Sequence, residues 1–473
     1  LIVSPTHSIK ENIMDFKTAI TNAAMGTTHN GMPTNITSND PAVDLFFMIG
    51  SSRGKNLVDH LALVIEQNLD EAMRILLWAR DVRGGAGERS TFRSLLVALD
   101  QNAPSEIVEK IIKKVPEIGR WDDLFVIEQN RDAAFTLIAG ALLSGDRLAS
   151  KWSPRKGSNA EALRKFMNLT PKAYRKLIVS QTNVVETAMC AKNWDAIEFG
   201  KLPSIASSRY QKAFTKRCGE RYSEYKEGLV KGTEKINAGA VYPYDVIKSL
   251  NHGDVTVATA QWDALPNFLG EDFNLPMVDV SGSMSCYVGG STSLTCMDVA
   301  VSLGLYLADK QTGAFKDTVL TFTSKPTLQV LKGDLSRKLN QIMRADWGMS
   351  TNIEAAFAEV LKVALAGKVP ANEMPKYITI LSDMEFDYCA KSDQTAIDMI
   401  EQKYSAAGYD LPKIIFWQLN ARAGNVPVKS GRAGAALISG FSPAIMKSVL
   451  AAQDFSPRQI MLDVIMNERY NWM

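Results

Sequence analysis

Between about residue 45 and residue 250, apolar positions recur at the three- and four-residue spacing of a single helix face. Phe92, Leu95, Leu96 and Leu99 form one stripe. Ile107, Val108, Ile111, Ile112 and Val115 form a second, with Ser105 placed to cap it, and Phe135, Ile138, Ala139 and Leu142 form a third. Short antiparallel helices of this kind cannot bury their faces alone, so an α-helical repeat domain, a HEAT-like solenoid, is the economical packing. From about residue 270 the pattern changes to short apolar runs: Met277-Val278-Asp279-Val280-Ser281, 318–322, 377–381 and 414–417. Helical stretches at 294–309 and 351–366 alternate with them, which predicts an α/β doubly wound, mostly parallel sheet that binds ligands at the carboxyl ends of its strands. Residues 1–45, with one short helical stretch and the turn formers of 26–33, read as an N-terminal arm or linker. The expected division is therefore 1–45, a helical domain over 46–270 and an α/β domain over 271–473.

Charge adds a local feature that the total hides. The chain carries 53 basic and 51 acidic residues, yet 19 basic and 9 acidic fall within 151–250, leaving 34 and 42 elsewhere. The five cysteines are scattered and never spaced C-x-x-C, which argues against a disulfide framework or a structural zinc site and for a reducing compartment. No apolar run is long enough to span a bilayer and no leader pattern is visible, so no membrane partner is expected. The expected location is cytoplasmic, or in a virion assembled inside a cell.

Chemistry enters where the first strand runs into Asp279-Val280-Ser281-Gly282-Ser283-Met284. A carboxylate and two hydroxyls at alternate positions of a tight loop offer hard oxygen donors, suited to Mg²⁺, Mn²⁺ or Ca²⁺. Thr351 opens a predicted helix and Asp383 ends the strand 377–381, so both lie where the same ion could use them. Asp279, Ser281, Ser283, Thr351 and Asp383 resemble the metal-ion-dependent adhesion site of von Willebrand factor A domains in type, order and placement. Met384 stands where a glycine usually follows the second Asp, and the sequence leaves open whether Glu385 joins the metal or faces solvent. The competing reading makes Ser281 and Thr351 helix caps. Nothing nearby supplies a nucleophile with a positioned base, so no catalytic residue is assigned. The string Arg83-Gly84-Gly85-Ala86-Gly87-Glu88-Arg89-Ser90 lacks the Gly-Lys-Ser/Thr ending of a phosphate loop and reads as a flexible turn between helices.

Within the basic stretch, Lys151, Arg155 and Lys156 surround Trp152, and Arg164 and Lys165 precede a helix whose one face carries Lys172, Arg175 and Lys176. Thr170 caps that helix and Pro171 starts it. Arg209, Lys212 and Lys216 share a face of a second helix, beside the apolar pair Tyr210 and Phe214. Two readings stand: a surface that tracks phosphates and stacks bases, or a solvated face over buried aromatics.

Helical repeats followed by such an α/β domain resemble the TROVE proteins, the group of the Ro autoantigen. The chain looks closest to an uncharacterised Ro-related family found in bacteria, phages, large DNA viruses and eukaryotes. The strings that carry the resemblance are Arg80 to Arg89, Gly119-Arg120-Trp121-Asp122-Asp123-Leu124, Lys151-Trp152-Ser153-Pro154-Arg155, Val278 to Met284, Ser382 to Asp387 and Ser439-Gly440-Phe441-Ser442. The resemblance implies a helical ring closed by a von Willebrand A domain that binds a divalent metal, and a non-enzymatic protein that holds small noncoding or single-stranded RNA. A structural protein of a phage or viral particle, contacting other proteins through the metal site or the solenoid, is the alternative. A metal-dependent hydrolase is a third.

Overall fold

A computed structural model of the chain describes residues 25–52, 55–182, 184–270, 273–289, 291–322, 325–344, 351–387, 396–420 and 425–473. They fall into two compact units. An α/β unit gathers residues up to Ser52, Leu269–Ser439 and Ser448–Asp463, and a helical unit gathers Arg53–Phe268, Gly440–Lys447 and Val464–Met473.

The chain between residues 25 and 45 is not an arm. Its turn formers build a hairpin of β1 (Met25–Thr27) and β2 (Pro33–Asn35), and the helix Pro41–Ile49 follows. Asp40 caps that helix by accepting the N–H groups of Ala42 and Val43. Ala42, Val43, Leu45, Phe46, Phe47 and Ile49 are all buried, as expected of a helix that is apolar nearly all round. The preceding residues lie outside the described ones.

Among the described residues six strands form the sheet of the α/β unit: β3 (Asn274–Asp279), β4 (Thr318–Phe322), β5 (Leu328–Val330), β6 (Tyr377–Ser382), β7 (Lys413–Gln418) and β8 (Ala435–Ser439). Their order is β5-β4-β3-β6-β7-β8, and all neighbours are parallel except the edge pair β4 and β5. The inner strands are buried at every position but Lys413, the first of β7, which explains their continuous apolar runs. Helix Cys296–Lys310 lies against β3 and is buried on nearly every side. It can approach so closely because Gly304 faces Val278: a Cβ at 304 would stand 2.3 Å from the Val278 Cγ2. Helix Pro41–Ile49 is fastened to β8 through Ser439, whose Oγ accepts Gly50 N–H at 3.0 Å and donates to the Phe46 carbonyl at 3.3 Å.

In the helical unit, successive helices pack on their sequence neighbours, from Val58–Gln67 and Leu69–Arg80 through Arg131–Leu143 and Arg147–Trp152. The predicted stripes are buried: Phe92, Leu95, Leu96, Leu99, Val108, Ile111, Ile112, Val115, Phe135, Ile138 and Leu142 form core. Ser105 does not cap its helix. It is the first helical residue, Pro104 occupies the cap position, and no side chain bonds the first turn. The glycine-rich turn after Arg80 is also not loose. Ala86 N–H donates to Trp78 O at 3.1 Å and Glu88 N–H to Ala79 O at 2.7 Å, while a Cβ at Gly85 would stand 2.1 Å from Trp78 O. Asp81, fully buried beneath it, accepts from Arg469 Nε at 2.5 Å, Tyr470 Oη at 3.1 Å and Arg83 N at 3.0 Å. These bonds place the last ten residues with the helices rather than with the sheet.

Overpacking a buried contact costs about 1–3 kcal/mol. Gly304→Ala is therefore expected to lower the unfolding temperature of the α/β unit by several degrees, read by calorimetry, whereas an alanine at the open position Gly140 leaves it unchanged or higher.

Candidate metal centre and basic surface

The strand order turns between β3 and β6, with β4 on one side and β7 on the other, so the crevice of a doubly wound sheet lies beyond their carboxyl ends. Asp279 is the last residue of β3 and Asp383 follows β6, and both are 0% exposed. Burial, and then the neighbouring charge of Asp383, push the Asp279 carboxyl up to about 7. Hydrogen bonds pull the other way: Asp279 Oδ1 accepts Ser281 N–H at 2.9 Å and Oδ2 accepts the Ser382 hydroxyl at 2.5 Å. Ser281 and Ser283 sit on a single 3₁₀ turn with their Oγ atoms 3.0 Å apart. Ser281 is buried and Ser283 half-buried, so the open side of the loop is at Ser283.

The cap reading fails at Thr351. Helix Ile353–Gly367 is capped by Asn352, whose Oδ1 accepts Ala355 N–H at 2.9 Å. The buried Thr351 hydroxyl instead donates to Glu385 O at 2.7 Å, and Thr351 N–H donates to Asp387 Oδ2 at 2.6 Å. Ser281 likewise starts its turn without a side-chain capping bond. Thr351 thus belongs to the 385–387 loop, and that loop is tied to Asp383 through Glu385 N–H, which donates to Asp383 Oδ1 at 3.3 Å.

Glu385 does not face solvent. It is 3% exposed, and its Oε2 accepts His29 N–H at 2.5 Å from the turn between β1 and β2. The same turn sends Asn30 Nδ2 to Glu385 O at 2.8 Å and to Thr351 Oγ1 at 3.5 Å, and the Thr28 hydroxyl to Phe386 O at 2.7 Å. Sequence reasoning missed this hairpin as part of the site, because nothing in Thr28-His29-Asn30-Gly31 signals a partner more than 300 residues away.

Among the described residues no three His, Cys, Asp or Glu side chains are grouped for a metal. An ion at the strand ends would rely on two carboxylates and on hydroxyls. That all-oxygen set fits a hard divalent cation and suits zinc or copper poorly.

Of the sequence-assigned cations, Arg155, Lys156, Lys165, Lys172, Arg175, Lys176, Arg209, Lys212 and Lys216 are exposed, while Lys151 and Arg164 are half-buried. Thr170 caps helix Pro171–Gln181 as expected, its side chain accepting Ala173 N–H. That helix packs on Arg147–Trp152, with Tyr174 Oη donating to Pro154 O at 2.9 Å, which brings the cations of 151–176 into one block. The expected second helix is broken at Tyr210: Arg209 ends helix Ser204–Arg209 whereas Lys212 and Lys216 lie on Gln211–Arg217, beside an aromatic core of Phe199, Phe214, Tyr222 and Tyr225. Tyr210 donates its hydroxyl to Glu186 Oε1 of helix Val185–Cys190 at 2.9 Å, so that ring too is engaged within the unit. Phe214 is therefore core and not a stacking platform. Trp152 is the exception, half-buried with the Arg120 guanidinium 4.3 Å from its ring centre and the Lys151 ammonium 5.3 Å away. A cleft of about 640 Å³ is lined by Arg147, Lys151 and Lys201 together with Glu186 and Glu198, and Lys201 is paired with Glu198 at 2.6 Å, so it is mixed in charge.

A carboxyl whose folded pKa is raised contributes stability while protonated and loses it as pH rises from the unfolded value near 3.8 to about 7. In chelator-treated protein, Asp279→Asn is therefore expected to gain in unfolding temperature over the parent progressively between about pH 4 and pH 7, with the gain level above. A pH-independent difference would contradict the buried charge.

Two family models match the chain, Domain of unknown function (DUF2828) over residues 133–272 and Domain of unknown function (DUF7788) over 274–470. Uncharacterized protein L728 of Acanthamoeba polyphaga mimivirus is 28% identical over 511 residues, which covers 94% of this chain and 87% of that protein. Among solved structures, the Deinococcus radiodurans Ro (RSR) protein superposes with a TM-score of 0.50 at 14% identity, over 90% of this chain and 100% of that one. The chain is thus similar in fold to a Ro protein and similar in sequence to a protein of a giant virus.

Proposed function

We propose that this is a non-enzymatic, TROVE-like RNA-binding protein that holds small noncoding or single-stranded RNA on the basic faces of its helical unit. The observation that carries the reading is the block of cations at 151–176, exposed except for the half-buried Lys151 and Arg164, on a chain whose fold is similar to a Ro protein. Lys172, Arg175 and Lys176 project from one exposed helix face, where phosphates can replace their counterions. With Phe214, Tyr222 and Tyr225 committed to the core and the Trp152 ring already covered by Arg120, contact is mainly to the phosphate backbone.

The second part of the proposal is a von Willebrand A-like metal site. Asp279, Ser281, Ser283 and Asp383 would hold Mg²⁺ with Thr351 close by, and the ion would supply positive charge between two buried carboxylates and a position for a partner's carboxylate. Hydroxyls at 281 and 283 orient toward each other, and the Ser382 hydroxyl keeps one oxygen of Asp279 turned into the sheet.

Binding of a fluorescent single-stranded RNA is expected to be tight at low salt and to weaken steeply as salt rises. Reversing charge at Lys172, Arg175 and Lys176 together should make the log–log salt slope shallower by about 2, at roughly 0.7 per single-strand phosphate contact. Unchanged binding, or protein that purifies free of nucleic acid and associates only with particles, would sink the RNA reading. For the metal, calorimetry with Mn²⁺ is expected to show one site that is lost in Asp383→Asn and weakens as pH falls below about 7, because a proton on Asp279 competes with the ion.

A further inference from the structure

Cys286 ends the turn that carries Ser283, and Cys296 opens helix Cys296–Lys310. The segment between them folds back on itself: Tyr287 bridges Thr295 in antiparallel fashion, Val288 N–H donates to Leu294 O at 2.9 Å, and Cys296 N–H donates to Cys286 O at 3.0 Å. This register sets the two cysteines opposite each other, and the Cys286 thiol donates to Cys296 Sγ at 3.5 Å. With their sulfurs already in contact and their main chains joined by one hydrogen bond, the two cysteines need little adjustment to form a disulfide. Cys296 is buried, whereas Cys286 is partly accessible and has its sulfur fixed by Asn420 Nδ2, which donates to it at 3.3 Å. An accessible sulfur backed by a buried second one is the arrangement in which a first oxidation is resolved within the chain.

We propose that Cys286 and Cys296 are a reversible redox pair that closes a disulfide beside the Asp279–Ser283 loop when it meets a small-molecule disulfide such as oxidised glutathione. The Cys286 thiolate attacks one sulfur of the reagent, whose S–S bond breaks and releases one small thiolate. The Cys296 thiolate then attacks the Cys286 sulfur of the mixed disulfide, forming the internal S–S bond and releasing the second small thiolate. Two protein thiols are oxidised, one small disulfide is reduced to two thiols, and the two protons lost by the protein go to the leaving groups. Cys286 N–H also donates to Ser283 O at 3.3 Å, so the new bond would tie the loop of Ser281 and Ser283 covalently to the helix that lies on β3. Closure needs no movement of the sheet, only a sulfur displacement of about 1.5 Å, from 3.5 Å to a bond of about 2.0 Å.

The test is peptide mapping by mass spectrometry of the full chain, digested without reduction after exposure to oxidised glutathione. The expected result is a cross-linked pair of peptides containing Cys286 and Cys296, lighter by two hydrogens and restored by dithiothreitol. Cys190, which is exposed, is expected to carry at most a glutathione adduct. Cys296→Ser should trap glutathione on Cys286. The proposal is overturned if Cys286 in the parent chain is found only as a stable glutathione adduct, or stays unmodified while Cys190 reacts. It is overturned equally if Cys286 remains a thiol in Cys296→Ser. The parent-chain map stands by itself should that variant fold poorly.

Discussion

Two carboxylates placed out of reach of water, at the ends of adjacent parallel strands, set the terms for the rest of the α/β unit. Taking a charge out of water costs several kcal/mol even after the protein relaxes, and a second charge of the same sign nearby adds to it. Asp279 receives a main-chain N–H and a serine hydroxyl, and its carboxyl is still held far above its ordinary value. The surroundings keep the arrangement from relaxing. Gly304 lets a long helix seat hard against β3, and Met384 takes a left-handed backbone, φ 63°, in the position where a glycine would be comfortable. The Met384 side chain is wholly buried, its N–H donates to Ser382 Oγ at 3.0 Å, and its carbonyl accepts Asn425 Nδ2 at 2.9 Å, so packing and two bonds hold the strained residue in place.

Much of this was legible in the sequence because the signals were local. Continuous apolar runs announced β3, β4, β6 and β7, and the stripes of Phe92 to Leu99 and Val108 to Val115 announced helix faces that the structure buries. Strand β8 escaped notice because Ala435-Ala436-Leu437-Ile438-Ser439 is short and rich in small residues, and β5 because a three-residue edge strand has too few positions to show a period. The carboxylates and serines were found by order and type. What could not be read was the hairpin turn of Thr28 to Gly31 against Glu385 and Phe386, since it bonds through a main-chain N–H, a threonine hydroxyl and an asparagine amide that could serve any loop.

The strings that made the chain resemble the TROVE group are, in the helical unit, mostly joints. Arg80, fully buried, is held by Asp123 Oδ2 at 2.6 Å, and the other oxygen of Asp123 takes Arg93 Nε at 2.7 Å. Gly119 has no side chain because the Arg80 stem passes there: a Cβ would meet Arg80 Cγ at 3.0 Å. Arg120 then reaches the Trp152 ring, so three strings distant in sequence form one connected patch. Breaking such a buried pair leaves an uncompensated charge, which binds these residues to the architecture whatever the unit carries on its surface.

The α/β unit is built from segments on either side of the helical one, and this has a bearing on how the chain is made. The hairpin of β1 and β2 and the helix Pro41–Ile49 leave the ribosome before the rest of their sheet, and Glu385, Val426 and Ser439, to which they bond, are synthesised more than 300 residues later. At ribosomal speeds of roughly 5–20 residues per second, an apolar helix carrying Leu45, Phe46, Phe47 and Ile49 waits for tens of seconds without its sheet, while only the 53–268 part of the helical unit is made in the interval. The sheet therefore closes late and over long range, and the helical unit also gains its final contacts late, when Arg469 and Tyr470 reach Asp81, so this apolar helix has a long interval in which it needs protection.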